Sequence, residues 1–391
     1  MMPPSADALW LALRRVHGVG PRTSRLLLEQ FQTPEKVFAA SIADLVRAGI
    51  SQRVARSITE FREFEPLERE LYELPRLDAR MVRWTDDDYP PNLRQIPDPP
   101  PYLFVRGEAP LADAHCIAVV GARAASDAGL RMAERLGFEL AGKGFTVVSG
   151  LARGIDAAAH RGALSSGGRT IAVMGCGIDI VYPPENREMA DTIIAQGGAL
   201  ISELPIGTAP LAENFPARNR ILSGLCLGVV IVEAAERSGS LITARMALEQ
   251  NRQVFAVPGS PLSGKSRGSN RLLKEGAVLI DCVEDVIEEL APQLQGHVSR
   301  AVSPQKMPPQ AEPEGQFRAK IDPAERLRSL ESTSINQAKT IVSTFKEDQR
   351  LHVDAIIEAS GLDAQTVLRL LLEMELHGIV AQHPGKLFSL A

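Results

Sequence analysis

The chain has 391 residues, long enough for two or three domains. Its 45% hydrophobic and 23% charged content matches soluble globular protein, and a formal net charge of −5 excludes a uniformly basic, histone-like binder. A local basic groove stays compatible with that total, because salt screens charge beyond about 10 Å. The opening MMPPSADALW lacks a basic stretch before an apolar core, and the longest nearly apolar run, Leu225 to Ala235, is about half a membrane span. A soluble cytoplasmic protein with no membrane partner is expected. Cys116, Cys176, Cys226 and Cys282 stand at least fifty residues apart, so zinc sites and disulfide frameworks give way to buried thiols.

In chain order, residues 1–75 read as a helical domain. Ala8 to Val16 and Ser24 to Phe31 carry helical apolar patterns, separated by the tight hairpin His17-Gly18-Val19-Gly20-Pro21. A weaker copy, Ala48-Gly49-Ile50-Ser51, separates a second helix pair. Residues 5–62 hold nine Lys/Arg against five Asp/Glu, a net of +4 in an acidic protein. Residues 76–114 contain Pro90-Pro91 and Pro97 to Pro101, which predict an extended connector lying against the next domain.

From 115 to 291 the pattern changes. Apolar, β-branched runs recur at Ile117–Val120, Thr146–Val148, Thr170–Met174, Ala199–Ile201, Val229–Val232, Val254–Val257 and Val278–Ile280. Most alternate with helical stretches such as Gly129 to Lys143 and Thr243 to Asn251. That predicts an α/β domain with a parallel sheet covered on both faces. Its ligand groove should lie beyond the carboxyl ends of the strands, where the glycines cluster. Residues 292–334, rich in Pro, Gln, Glu and Ser, predict a flexible linker. Residues 335–391 predict a helix-turn-helix over Val353 to Ser360 and Ala364 to Glu375. A small β wing should follow, Ile379–Gln382 and Leu387–Leu390, with a turn at Pro384-Gly385.

Several loops offer phosphate-binding chemistry. Gly121-Ala122-Arg123 ends a strand just before a helix start near Ser126, and helix N-termini attract anions. Ser149-Gly150-Leu151-Ala152-Arg153-Gly154 lets a ligand approach the backbone, with Arg153 meeting phosphate. His160, after an alanine run, suits a packed or capping group better than a base. Asn214-Phe215-Pro216-Ala217-Arg218-Asn219-Arg220 carries two arginines, each able to fit a phosphate with two donors. The alternative is a helix start with arginine paired to Glu203 or Glu213. Ser238-Gly239-Ser240, leading to Thr243, forms an anion nest with hydroxyl donors.

Gly259-Ser260-Pro261-Leu262-Ser263-Gly264-Lys265-Ser266 matches a P-loop in full, so a P-loop ATPase is one reading. Against it, Arg267 to Asn270 reads as loop with helix only near Leu272, whereas a P-loop lysine must open a helix. A Rossmann-type nucleotide phosphoribohydrolase is another reading, weakened because Ser238 to Thr243 lacks the Gly-Gly-x-Gly-Thr-x-x-Glu pattern. Metal-ligand spacing, a nucleophile elbow and a dinucleotide fingerprint are all missing. The domain thus reads as a binder with no catalytic residue, metal or cofactor.

In this ordered set, the chain resembles the DNA-processing protein A family (DprA, also called Smf). The resemblance runs over about 115 to 281. It is carried by Val148 to Asp156, Ala172 to Gly177, Tyr182-Pro183-Pro184-Glu185-Asn186, Phe215 to Arg220, Ser238 to Thr243 and Val257 to Pro261. The flanking segments are similar to that family's helix-hairpin-helix or SAM-like and winged-helix domains. The resemblance implies a Rossmann-like fold, single-stranded DNA binding without much sequence preference, a homodimer, and loading of RecA recombinase during natural transformation. It implies Arg123 as a DNA contact and matches a family loop to Gly268-Ser269-Asn270, beside Lys265. The family's lysine in its Gly-Thr-x-Pro segment falls on Ala209 here, which Arg218 or Arg220 would have to replace. With aromatics at 5%, phosphate contacts should dominate. The hairpin glycines Gly18 and Gly20 suit a phosphate. Residues 335–391, with five Lys/Arg and seven Asp/Glu, suit protein contact better than DNA. Val283, Val286, Ile287 and Leu290 form an apolar stripe, the first guess for a dimer surface although such stripes are more often core.

Overall fold

The computed structural model describes residues 3–109, 111, 115–294, 335–345, 351–376, 379–383 and 387–390. It divides into two units, Met1–Pro308 and Pro309–Ala391. The expected linker falls outside the described residues except for 292–294, as does the turn at Pro384-Gly385.

The first unit begins with six helices: α1 (Ala6–Arg15), α2 (Pro21–Phe31), α3 (Pro34–Ala39), α4 (Ile42–Arg47), α5 (Gln52–Thr59) and α6 (Glu65–Glu73). Short polar caps start four of them, α1, α3, α4 and α5. Ser5 accepts from Ala8 N, and Ser41 and Asp44 form a reciprocal capping box that satisfies otherwise orphaned amides. Both sides of α1 are buried. Trp10 and Leu13 pack with Leu27, Val37, Leu45 and Ile58 in the helical core. Ala8, Leu11 and Ala12 pack with Tyr102, Phe104 and Leu200 of the sheet. Arg15 pairs with Glu70 at 2.5 Å, and the other Glu70 oxygen accepts from Ile206 N at 2.9 Å. The helical segment is therefore fixed to the α/β domain rather than tethered to it.

The sheet has nine strands: β1 (Ala79–Arg83), β2 (Tyr102–Gly107), β3 (Cys116–Val120), β4 (Thr146–Ser149), β5 (Thr170–Val173), β6 (Ala199–Ser202), β7 (Gly228–Ile231), β8 (Gln253–Ala256) and β9 (Val278–Leu279). Their spatial order is β1-β2-β6-β5-β4-β3-β7-β8-β9. The run from β6 to β9 is parallel, with every strand the sequence predicts in place. Between the strands lie α7 (Pro91–Arg94), α8 (Asp127–Gly142), α9 (Ile155–Ser165), α10 (Arg187–Ala195), α11 (Asn214–Leu225), α12 (Ser240–Glu249) and α13 (Arg267–Lys274), and α14 (Val283–Leu290) follows β9. The hydrophobic cores on the two faces of the sheet join its Val, Ile and Ala side chains to those of the covering helices.

Two sequence expectations need correction. The connector at 76–114 is part of the sheet: β2 pairs antiparallel with both β1 and β6. Its proline cluster over 90–101 ends immediately before β2, which itself holds none, so the cluster interrupts no ladder. The apolar stripe on α14 is core. Val283, Val286 and Leu290 are at most 1% exposed and pack on Leu136, Leu140 and Phe255, and Ile287 is partly buried against the same core.

In the second unit, α15 (Ile335–Val342), β10 (Leu351–His352), α16 (Val353–Ser360) and α17 (Ala364–Leu376) precede β11 (Val380–His383) and β12 (Leu387–Leu390). The strands pair antiparallel in the order β10-β12-β11. Ile341, Ile356, Leu370, Met374 and Phe388 form the core. This is the winged helix predicted from the sequence. No helix among the described residues is long and apolar enough to cross a membrane.

Candidate nucleic-acid interface

From β3 the chain winds to β4, β5 and β6 on one side, then returns to β7, β8 and β9 on the other. The switch between β3 and β7 leaves a crevice at their carboxyl ends, the place where open α/β sheets bind ligands. A cavity of about 770 Å³ lies there, lined by Val120 to Ala124 after β3 and by Ala235 and Arg237 to Ser240 after β7. A smaller cavity of about 190 Å³ adjoins it, lined by Gly150, Ala152, Arg153, Tyr182 and Pro183. Arg123, Ala124 and Phe215 border both.

Hydrogen bonds between neighbouring loops fix this frame. Ala122 N donates to Glu233 O at 2.7 Å, and Ile155 N donates to Ala122 O at 3.2 Å. Glu233, 5% exposed, is not a free base: its carboxylate accepts the Ser126 hydroxyl at 2.5 Å and the Ser126 amide at 3.2 Å. Ser126 in turn caps α8. Gly154 has φ +75°, and a Cβ there would lie 2.3 Å from Ala122 O, so only glycine lets the loops after β3 and β4 meet.

The cations divide into two kinds. Arg123 is exposed, and among the described residues it makes no ion pair within 4.0 Å. Its guanidinium lies 5.1 Å from the Phe215 ring centroid, and Tyr182 and Phe215 stand 5.8 Å apart. Arg237 and Lys265, both exposed, line the large cavity with Ser238, Gly239, Ser240, Thr243 and Asn219. Arg153 is exposed too, but it is paired with Glu185. That pairing holds the Glu185 carboxyl below its ordinary range.

Arg218 and Arg220 are buried, at 6% and 7% exposure. Arg218 forms the cavity floor and donates to Gly150 O at 3.0 Å and to Val173 O. Burial lowers its pKa, opposed by the Asp156 carboxylate. Arg220 points away from the cavity, pairs with Glu203 and donates to Asp98 O at 2.8 Å. The alternative reading, a paired arginine, is thus the one the structure supports for Arg220. Neither arginine stands in for a lysine at Ala209; Arg123, Arg237 and Lys265 are the exposed charges around the large cavity.

Other expected contacts are also structural. The Ser149 hydroxyl is fully buried and donates to Val119 O at 2.7 Å. Gly268 N donates to Ala234 O at 2.7 Å, and the Asn270 side chain clamps both the amide and the carbonyl of Gly259. His160 is completely buried, with Nδ1 2.7 Å from Thr170 Oγ1, and desolvation pushes its pKa down to about 3. It is a packed group, as its alanine-rich setting suggested.

The P-loop lookalike fails on different grounds from those given by its sequence. Helix α13 begins at Arg267, directly after a turn over Gly264–Ser266, and not near Leu272. The loop nevertheless cannot cradle phosphate, because five of its seven amides are engaged. Gly259 N bonds Asn270, Leu262 N and Ser263 N bond Ser260, and Lys265 N and Ser266 N bond Ser263. A P-loop needs those donors free.

Sequence reasoning passed over Phe215, Tyr182 and Arg237. Tyr182 and Phe215 sat inside the quoted motifs and Arg237 just before one, but their convergence depends on loops after three different strands, β5, β6 and β7. Comparison with known proteins agrees with this architecture. A family model described as DNA recombination-mediator protein A matches residues 80–291. A DprA winged helix domain matches 338–386, and a SAM-like helix-hairpin-helix tandem matches 11–63. Protein Smf of Escherichia coli (strain K12) is 38% identical over 87% of this chain and 85% of its own. DNA processing protein DprA of Streptococcus pneumoniae (strain ATCC BAA-255 / R6) is 47% identical over 52% of this chain and 72% of its own. The X-ray structure of DprA from Streptococcus pneumoniae superposes with a TM-score of 0.62 at 36% identity, covering 72% of this chain and 97% of that one. With a Rossmann-like domain between a helix-hairpin-helix segment and a winged helix, the chain belongs to the DNA recombination-mediator protein A family, which includes proteins named DprA and Smf.

Proposed function

We propose that the chain binds single-stranded DNA at the crevice between β3 and β7, protects it, and loads RecA recombinase onto it during natural transformation. The observation that carries the DNA reading is the unpaired Arg123 lying against Phe215. A single strand presents both a phosphate for a guanidinium and an unpaired base for an aromatic face. Arg237, Lys265, Asn219 and the Ser238-Gly239-Ser240 turn extend the phosphate path, and Arg153 and Gly150 line the adjoining cavity.

The protein acts here as a binder and not an enzyme. Glu233 is tied to Ser126, and Asp156 accepts from Gly150 N at 3.1 Å, so both nearby carboxylates are committed to structure. The RecA step and a homodimeric assembly follow the family and carry no residue assignment. The test is fluorescence anisotropy of the full chain with a dT oligonucleotide and with the same length of duplex. A strand-exchange assay with RecA and single-strand-binding protein follows. Equal affinity for duplex and single strand would refute the DNA reading; unaltered RecA nucleation would refute the loading step.

A further inference from the structure

Arg218 is a buried cation whose charge is incompletely matched. It is 6% exposed, its Nε has no hydrogen-bond partner, and among the described residues it makes no ion pair within 4.0 Å. Its hydrogen bonds go to two neutral carbonyls, Gly150 O and Val173 O. The buried Asp156 carboxylate acts on that charge only from beyond ion-pair distance, and an anion entering the cavity above it offsets more of the cost of burial. A terminal phosphomonoester carries about −1.5 to −2 at neutral pH, against −1 for each phosphodiester within a strand. The floor therefore favours a terminal phosphate.

The rest of the cavity has the chemistry of a nucleoside. The residues shared with the small cavity, among them Arg123, Tyr182 and Phe215, form an aromatic wall whose two rings stand 5.8 Å apart and tilted by 50°. Arg237, Ser238, Ser240 and Lys265 line only the large cavity and supply cations and hydroxyls. Its volume of about 770 Å³ falls within the roughly 300–1,000 Å³ of small-molecule sites. We propose that this cavity also takes a free nucleoside monophosphate, held by Arg218, Arg237 and Lys265 and stacked on the aromatic wall, and that it competes with the DNA strand. The competition, though not the nucleotide site itself, rests on the single-stranded DNA reading above. Asp156, the carboxylate in the lining, is hydrogen-bonded to Gly150 N, so the nucleotide is bound and released intact.

The test uses the full chain. Equilibrium dialysis against radiolabelled dTMP measures binding directly, and anisotropy follows displacement of a labelled dT oligonucleotide by dTMP, thymidine or inorganic phosphate. We expect dTMP to be retained and to displace the oligonucleotide at least about tenfold better than thymidine or phosphate. The Arg237→Ala/Lys265→Ala double variant should weaken retention by a similar factor, with an unchanged melting temperature because both side chains are exposed. No retention, retention without displacement, phosphate as effective as dTMP, or release of free thymine would each overturn the proposal. Failure of the oligonucleotide itself to bind would sink the DNA reading while leaving the dialysis result to decide the nucleotide site.

Discussion

Replacing Arg123 with alanine separates the charge proposed to face DNA from the charges that hold the fold. Arg123 is exposed, and its guanidinium lies 5.1 Å from the Phe215 ring centroid. Its loss leaves no buried partner stranded, so the melting temperature should move little. In the complex it would remove one charge-assisted hydrogen bond, about 1.5–3 kcal/mol. Taking roughly 2 kcal/mol, affinity for a dT oligonucleotide should fall about thirtyfold. One fewer displaced counterion should also flatten the plot of log affinity against log salt by about 0.7. Anisotropy titrations at four or five salt concentrations measure both quantities. An affinity within twofold of the parent with the same salt slope would refute the placement of Arg123 on the phosphate path.

Phe215→Ala should show the complementary pattern. Affinity drops by about 1–3 kcal/mol through lost stacking, while the salt slope stays that of the parent, which the same titrations resolve. Arg220→Ala should unfold the protein more easily without a specific DNA effect, because it strands the buried Glu203 carboxylate; urea denaturation should show a loss of about 3–5 kcal/mol, partly restored by adding Glu203→Gln. His160 gives a pH signature. Its folded pKa, about 3, lies below the unfolded value near 6.5, so the stability it contributes is present above pH 6.5 and is lost as pH falls toward 3. Between pH 7 and 5 the loss should be roughly 2 kcal/mol. Comparing urea midpoints of the parent and His160→Gln at both pH values tests this, and identical pH slopes would count against it. Lys265→Ala should leave ATP hydrolysis at background in both parent and variant; parent turnover abolished by the substitution would revive the P-loop reading.

Much of the protein is written locally in its sequence. Continuous runs such as Ile117–Val120 and Val229–Val232 are strands wherever they fall in the sheet, because a strand buried on both faces needs apolar residues at every position. Glycine and arginine after those runs mark the ligand end, and the pattern of residues 335–391 specifies a winged helix without reference to the rest of the chain. The roles of individual arginines are not local. Arg218 and Arg220 stand two residues apart on α11, yet one floors the cavity and the other pairs with Glu203 and Asp98, 17 and 122 positions away in sequence. That division depends on the strand order, which brings β3 beside β7 and places the segment at 79–107 against β6. The sequence alone determined the elements and the chemistry gathered at their ends. Only the tertiary structure decided which cations remain unpaired for a ligand, because burial and ion pairing depend on neighbours far away along the chain.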